Sequence, residues 1–428
     1  MENEDTSQNL SEILFKPKFH YNETSQISNS GAPLPPPPSA RVLRLLDSDP
    51  RWYRPIHSYA WTVLGGNYKD IDLTLSRIAV SENERSRREC YDTVREYGPG
   101  NWIYEFNSTA QQRYLIARDL EEKGDMLHAS HNYRMAARYF AIASYPNLRG
   151  DVLASDSYLQ ALRLYKKMFE CDKTYGYLQV ENLKTEEGTV TGFLHIPDKN
   201  KVNPCVIVCG SYEQSLTDFY KLYRDTLRPL GLAAFVVEMP GLGVSEKLSL
   251  SYDMSVVIDA ALEHIKHISC IDSTKVALLG TRLGGTACLR STILDPSRVR
   301  ALTLIEPGVD SMFTRRSVLD QLPLCLRSLY ANRLNMDAAN WDTVVPQMQA
   351  FSLKKQGLLS FSGKHSVPTR VWLGGASFTS KEDLDLLQNT FKDFVAFVHD
   401  EDNYVDFMSQ SLIDLRQFLK QTLELDNE

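Results

Sequence analysis

Val276-Ala277-Leu278-Leu279-Gly280-Thr281-Arg282-Leu283-Gly284-Gly285 is the stretch that decides the fold of this chain. Val276–Leu279 is apolar without alternation, as a strand buried on both faces requires. Gly284–Leu294 follows with helical character. A strand that passes directly into a helix puts the middle residue of the turn in a strained backbone conformation. Gly280 and Gly284, two positions either side of Arg282, relieve the crowding that such a turn creates.

The same strand-then-helix alternation extends in both directions. Tyr177–Leu183 and Thr189–Ile196 read as two strands joined by a turn at Glu186-Glu187-Gly188. Val206–Val208, Ala233–Val237, Ala301–Ile305, Arg370–Leu373 and Phe394–Val398 are short apolar runs of strand character, and Ser255–His267 and Tyr404–Leu419 are helical. Repeated β-then-α units predict an α/β fold with a mostly parallel sheet flanked by helices. In such sheets ligands gather at the C-terminal ends of the strands.

The residues at those ends come in an order that resembles the α/β-hydrolase fold. Cys209-Gly210-Ser211 follows Val208, where that fold places its oxyanion loop. Gly210 and Ser211 are therefore candidate substrate-binding residues, since glycine lets a ligand approach backbone N–H groups closely. Glu238-Met239-Pro240-Gly241-Leu242-Gly243-Val244-Ser245 resembles the acid-x-Pro-Gly-x-Gly-x-Ser loop of the same fold. Gly280–Gly284 stands at the Gly-x-Ser-x-Gly nucleophile elbow, with Arg282 in place of the serine. Leu283, at the helix start, still offers a backbone N–H to an oxyanion. The usual acid position, beyond Trp372-Leu373-Gly374, holds Ala376 or Ser377, and Asp383 falls in the first turn of the next helix. His399 stands where the triad histidine belongs, without a serine or acid to work with. Glu306 and Asp310 offer an alternative acid but read first as solvated loop carboxylates.

Upstream, residues 1–46 read as an arm whose Pro33–Pro38 run favours polyproline II and a stiff linker over an SH3-type ligand. Residues 47–170 read as an N-terminal helical cap domain, and 171–428 as the α/β-hydrolase core. Within the cap, Ala129, Tyr133, Ala136, Ala137, Phe140 and Ala141 fall at helical spacing. Pro146 and Gly150 interrupt the pattern, and Leu153, Tyr158, Leu162 and Tyr165 resume it. No second copy follows at a tetratricopeptide period, which excludes a repeat array.

Composition narrows the class. Hydrophobic residues make up 43% and charged residues 24% of the 428 residues, ordinary for a soluble globular protein. A net charge of −7 with no basic stripe argues against nucleic-acid binding. No run of about 18 apolar residues predicts a membrane span. Seven scattered cysteines without a CxxC pair, and an acidic Met1-Glu2-Asn3-Glu4-Asp5 start, read as reduced thiols of a cytoplasmic protein. No Rossmann or phosphate-loop fingerprint and no metal-ligand spacing occurs, so no cofactor is expected.

From about Asn9 onward the chain resembles the FrsA family (fermentation/respiration switch protein, esterase FrsA-like). The resemblance rests on Asn9-Leu10-Ser11-Glu12-x-Leu14-Phe15, Trp52-Tyr53-Arg54 and Pro99-Gly100-Asn101-Trp102-x-Tyr104-Glu105. It continues through Ala143-x-Tyr145-Pro146-x-Leu148, Leu216-Thr217-Asp218 and Ser352-Leu353-Lys354-x-Gln356-Gly357. The family's elbow, Gly-Phe-Arg-Phe-Gly, also carries arginine. Its Gly-Asp-Pro near the acid position is replaced here by Gly375-Ala376-Ser377, and the proline run and His399 have no counterpart. The resemblance implies a carboxylester hydrolase with Asp218 as a functional residue. It also implies a partner, the glucose-specific IIA component of the sugar phosphotransferase system.

An arginine stays protonated, so Arg282 neither attacks a carbonyl nor accepts a proton. It can bind a carboxylate or phosphate at two points. Three functions fit these residues. One is hydrolysis of a small acyl or carboxylate substrate anchored on Arg282, with Asp218 and His399 moving protons. Another is a catalytically silent binding or regulatory protein, in which Asp218 is only a helix-start carboxylate. The last is a tailoring enzyme that decarboxylates, cleaves or cyclises a keto-acid or polyketide-like intermediate. A closed pocket around Arg282 favours the enzymes; a filled one favours the silent protein.

Overall fold

A computed structural model describes residues 51–359, 363–374, 377–399 and 404–425. The proline run, the Asn9–Phe15 motif and Gly375-Ala376 lie outside those residues.

Each apolar run forms a strand: β1 Tyr177–Thr185, β2 Gly188–Ile196, β3 Asn203–Cys209, β4 Ala233–Val237, β5 Ile271–Thr281, β6 Ala301–Ile305, β7 Thr369–Leu373 and β8 Phe394–Val398. The sheet order is β1-β2-β4-β3-β5-β6-β7-β8. β1 and β2 form a hairpin, β2 runs antiparallel to β4, and every later pairing is parallel. β3 and β5 lie at the centre, and all side chains of Cys205–Cys209 and Val276–Leu279 are buried. That double-sided burial is why these segments lack polar alternation. β5 starts earlier than its apolar run, because Ile271 and Asp272 pair with Asn203 and Pro204 before the register shifts. The architecture is the α/β-hydrolase fold.

Among the described residues, five helices precede the sheet: α1 Ser58–Val63, α2 Tyr68–Ala79, α3 Trp102–Glu122, α4 Met126–Ser144 and α5 Val152–Cys171. α2 to α5 each begin at Asn67, Asn101, Asp125 or Asp151, whose side chain accepts a first-turn N–H. Nearly every residue of α4 from Ala129 to Ser144 is buried. Its alanines let the neighbouring helices close on it from both sides. One apolar cluster joins Trp102, Phe106, Tyr133 and Tyr165 of these helices to Val206, Val208 and Leu279 of the sheet. The helical segment is thus continuous with one face of the core. Among the described residues, no helix is long and apolar enough to cross a membrane.

Where α5 crosses β2, His195 is fully enclosed. The Tyr165 hydroxyl lies 2.9 Å from its Nε2, and Nδ1 lies 3.2 Å from the Ala234 carbonyl oxygen. Burial pushes its imidazole down from 6.5 to about 4. The unfolded chain therefore binds a proton in this window that the folded chain refuses, and stability falls as pH drops from 6.5 towards 4. Replacement His195→Gln removes this contribution, which reaches up to about 3 kcal/mol at pH 4. Urea unfolding of both proteins across pH 4–8 checks it: the variant's stability should vary less with pH below 6.5.

Candidate active site

The turn from β5 into helix α6, Arg282–Leu294, is as sharp as the sequence demands. Arg282 sits at φ +46°. A β-carbon on Gly284 would overlap the carbonyl oxygens of Cys209 and Gly210. One on Gly280 would lie 2.5 Å from the Gly285 α-carbon. Helix and sheet meet backbone to backbone here, and the residue at 282 is turned out over the strand ends.

Its guanidinium is bound from both sides. Nη1 donates to Glu213 Oε1 at 3.1 Å and Nε to Glu306 Oε2 at 3.3 Å. Glu213 comes from the loop after β3. Glu306 directly follows β6 and is itself left-handed, at φ +51°. The Glu306 side chain is only 9% exposed, so it is not a solvated loop carboxylate. Glu213 Oε2 and Glu306 Oε1 are buried without a hydrogen-bond partner. An open two-point anion anchor at Arg282, expected from the sequence, is not what the structure presents.

A cavity of about 230 Å³ opens beside this group, walled by both halves of the protein. The helical half supplies His57, Trp61, Arg138, Tyr145 and Tyr158; the sheet half supplies Tyr212, Glu213, Asp218, Arg282 and Glu306. Asp218 is present but engaged. It is ion-paired with Arg138 of α4 through Oδ1, and its Oδ2 accepts the Ser215 N–H at 2.8 Å. Both side chains of the pair are less than one-tenth exposed. Next to them Glu238 accepts the Tyr158 hydroxyl and the Leu216 and Val244 N–H groups. Burial raises its carboxyl to about 7 against the pull of those donors.

His57 is the residue that the sequence did not reveal. It precedes α1, where no motif or periodicity marks it, and it reaches the cavity wall beside Arg282 and Glu213. Burial first, then the Arg282 charge, lower its imidazole to about 4, partly offset by Glu213. It is therefore neutral through the physiological range.

The remaining candidates lie elsewhere. His399 directly follows β8 and donates its backbone N–H to the Leu373 carbonyl. It does not line the cavity. Gly210, Ser211 and Leu283 sit just behind the wall, which is formed by Tyr212, Glu213, Gln214 and Ser215. The Ser211 N–H points to Gln214 Oε1 at 3.2 Å, and the Thr281 hydroxyl bonds the same oxygen. Asp383 is the N3 residue of a capping box with Ser380 and accepts the Asp310 and Ser311 N–H groups. Asp310 accepts the Ser352 hydroxyl. Among the described residues, no cluster of side chains could hold a metal ion.

Residues 5–423 match the family model described as esterase FrsA-like. Esterase FrsA of Photobacterium profundum is 34% identical over 361 residues, covering 83% of this chain and 84% of that protein. Esterase FrsA of Yersinia enterocolitica is 33% identical over 388 residues, covering 90% and 92%. Among solved structures, 2,6-dihydroxy-pseudo-oxynicotine hydrolase superposes with a TM-score of 0.67 over 85% of this chain and 95% of its own, at 17% identity. Wild-type AbyA5 superposes with a TM-score of 0.60 over 85% and 97%, at 18% identity. These two likenesses speak for the fold alone.

The backbone contact at the elbow makes Gly284 irreplaceable. Gly284→Ala is expected to cost about 3 kcal/mol or more, as overpacking against rigid backbone does. Gly98→Ala, where a β-carbon meets nothing within 4 Å, serves as the control. Thermal unfolding of both variants checks this; equal midpoints would show that the turn yields easily.

Proposed function

The chain belongs to the FrsA-like esterase family, and from that premise we propose that it hydrolyses a small carboxylic ester or related acyl compound by direct attack of water. The observation that carries this reading is a neutral histidine beside the Arg282–Glu213 pair, in a cavity whose elbow offers no nucleophile. Covalent acyl transfer needs a serine, cysteine or comparable group at that turn. Water needs only a base and a stabilised oxyanion.

In this mechanism the His57 imidazole takes a proton as water oxygen bonds to the acyl carbon. The carbonyl electron pair moves onto its oxygen. The Arg282 charge, on the cavity lining, faces that developing charge. Glu213 offsets the imidazolium. Collapse of the tetrahedral adduct breaks the bond to the alcohol, which leaves with the proton from His57. Asp218, held by Arg138, positions the Ser215 wall. A cavity of about 230 Å³ suits a short acyl chain, being below the range of about 300–1,000 Å³ typical of drug-sized sites.

A second reading, a silent hydrolase frame, is favoured by one observation. Gln214 already occupies the Ser211 N–H, which fills half of the usual oxyanion hole from within. An anionic keto acid is supported less, because Arg282 already carries two carboxylates.

Hydrolysis of a short-chain p-nitrophenyl ester separates the readings. Wild-type kcat/KM should be level from pH 5 to 8 and fall only as pH drops through about 4, where His57 gains its proton. Arg282→Ala removes one of the two influences that lower His57, so its acid limb should move to higher pH. His57→Gln should lose about 10²-fold or more in kcat. Turnover no faster than the buffer blank, or an unchanged His57→Gln, would leave the silent frame; gain of activity by Arg282→Ser would strengthen it.

A further inference from the structure

The charges around the cavity do not balance. Among the described residues that line the cavity, two cations, Arg138 and Arg282, face three carboxylates, Glu213, Asp218 and Glu306. Arg138 and Asp218 close as one pair. Arg282 is left between two acids whose side chains are 13% and 9% exposed. His57 adds no positive charge, being neutral above about pH 4. Behind the wall, the fully buried Arg333 lies over the Tyr212 ring and its charge acts on Glu238, so those two offset each other. Among the described residues of the lining, one buried carboxylate is therefore in excess. An unmatched buried charge is strongly unfavourable unless a counter-charge or proton joins it.

Two oxygens mark the excess, Glu213 Oε2 and Glu306 Oε1, and Glu306 is the less exposed of the two acids. Glu306 Oε1 is fully buried, has no hydrogen-bond partner and belongs to a residue that lines the cavity. Four aromatic side chains, Trp61, Tyr145, Tyr158 and Tyr212, line the same cavity. Aromatic faces attract a cation through the ring quadrupole. An ammonium group supplies both the missing charge and the missing N–H donors.

We propose that this site takes a substrate carrying a primary or secondary ammonium group, received by Glu306 within a few bonds of the acyl carbon. This deepens the hydrolytic reading and rests on it for the word substrate, though binding alone tests the site. The ammonium must keep N–H bonds, because an aromatic cage alone would accept a quaternary group equally well. An acyl compound with an anionic group in the same place is disfavoured by the excess carboxylate.

Calorimetric titration of the full chain at neutral pH with n-butylamine, 1-butanol, sodium butyrate and butyltrimethylammonium tests this. Butylamine is expected to bind at least about 10-fold tighter than 1-butanol and butyltrimethylammonium, a difference of about 1.4 kcal/mol. Butyrate is expected not to bind. Glu306→Gln, which restores charge balance, should reduce butylamine to the level of 1-butanol. Equal binding of butylamine and 1-butanol by the wild type, or tighter binding of butyrate, overturns the proposal without any variant. Ammonium preference in a protein without ester turnover would keep the cation site and remove the hydrolytic reading. Turnover of neutral esters without ammonium preference would do the reverse.

Discussion

Helix α6 starts so close to the ends of β3 and β5 that no side chain fits between them. Gly284 lies against the carbonyls of Cys209 and Gly210, and Gly280 against Gly285. That contact forces Arg282 into the left-handed region and fixes where its side chain points. Everything else in the site follows from having a guanidinium there. A charge held at a quarter exposure needs partners, and the loops after β3 and β6 each provide an acid. The strand-to-helix turn thus holds a guanidinium that is the centre of an ion cluster.

The helical segment is the other half of this arrangement. Its helices are not a loose lid, since they share an apolar cluster with the sheet. Buried polar links cross the same boundary: Arg138 to Asp218, Tyr158 to Glu238, and Arg333 to the carbonyls of Pro146 and Asn147. Removing one partner of such a link leaves the other buried and unsatisfied, which is more costly than the link is favourable. These links set the distance between the two walls of the cavity. They also bring His57, far away in sequence, to within reach of the elbow.

Most of the fold was legible because burial on both faces writes itself as unbroken apolar runs. β3, β4 and β6 could be placed from such runs alone. The polar start of β5 was hidden, because Asp272 is held by pairing with Pro204 and Ser273–Lys275 fall in a register shift, neither of which hydropathy shows. The elbow was legible from glycine spacing, since glycine is what a backbone contact demands. The site was legible only in part. Arg282 and Asp218 do meet at the cavity, but Asp218 arrives already paired with a helix some 80 residues away in the chain. His399 has the right place in chain order, yet β8 is an edge strand and His399 does not line the cavity. Glu306 looked like a loop acid because its partner sits on another strand end. His57 carried no local signal at all.

The central claim is that chemistry at this elbow proceeds through water and not through a bond to the protein. Stopped-flow release of p-nitrophenol from a short-chain ester, at enzyme concentrations high enough to see one turnover, tests it most directly. Without a covalent intermediate, product release is linear from the first milliseconds and hydroxylamine traps no acyl-protein. A burst equal to the number of protein molecules, with a trappable acyl group, is the fingerprint of a covalent intermediate and would contradict the account.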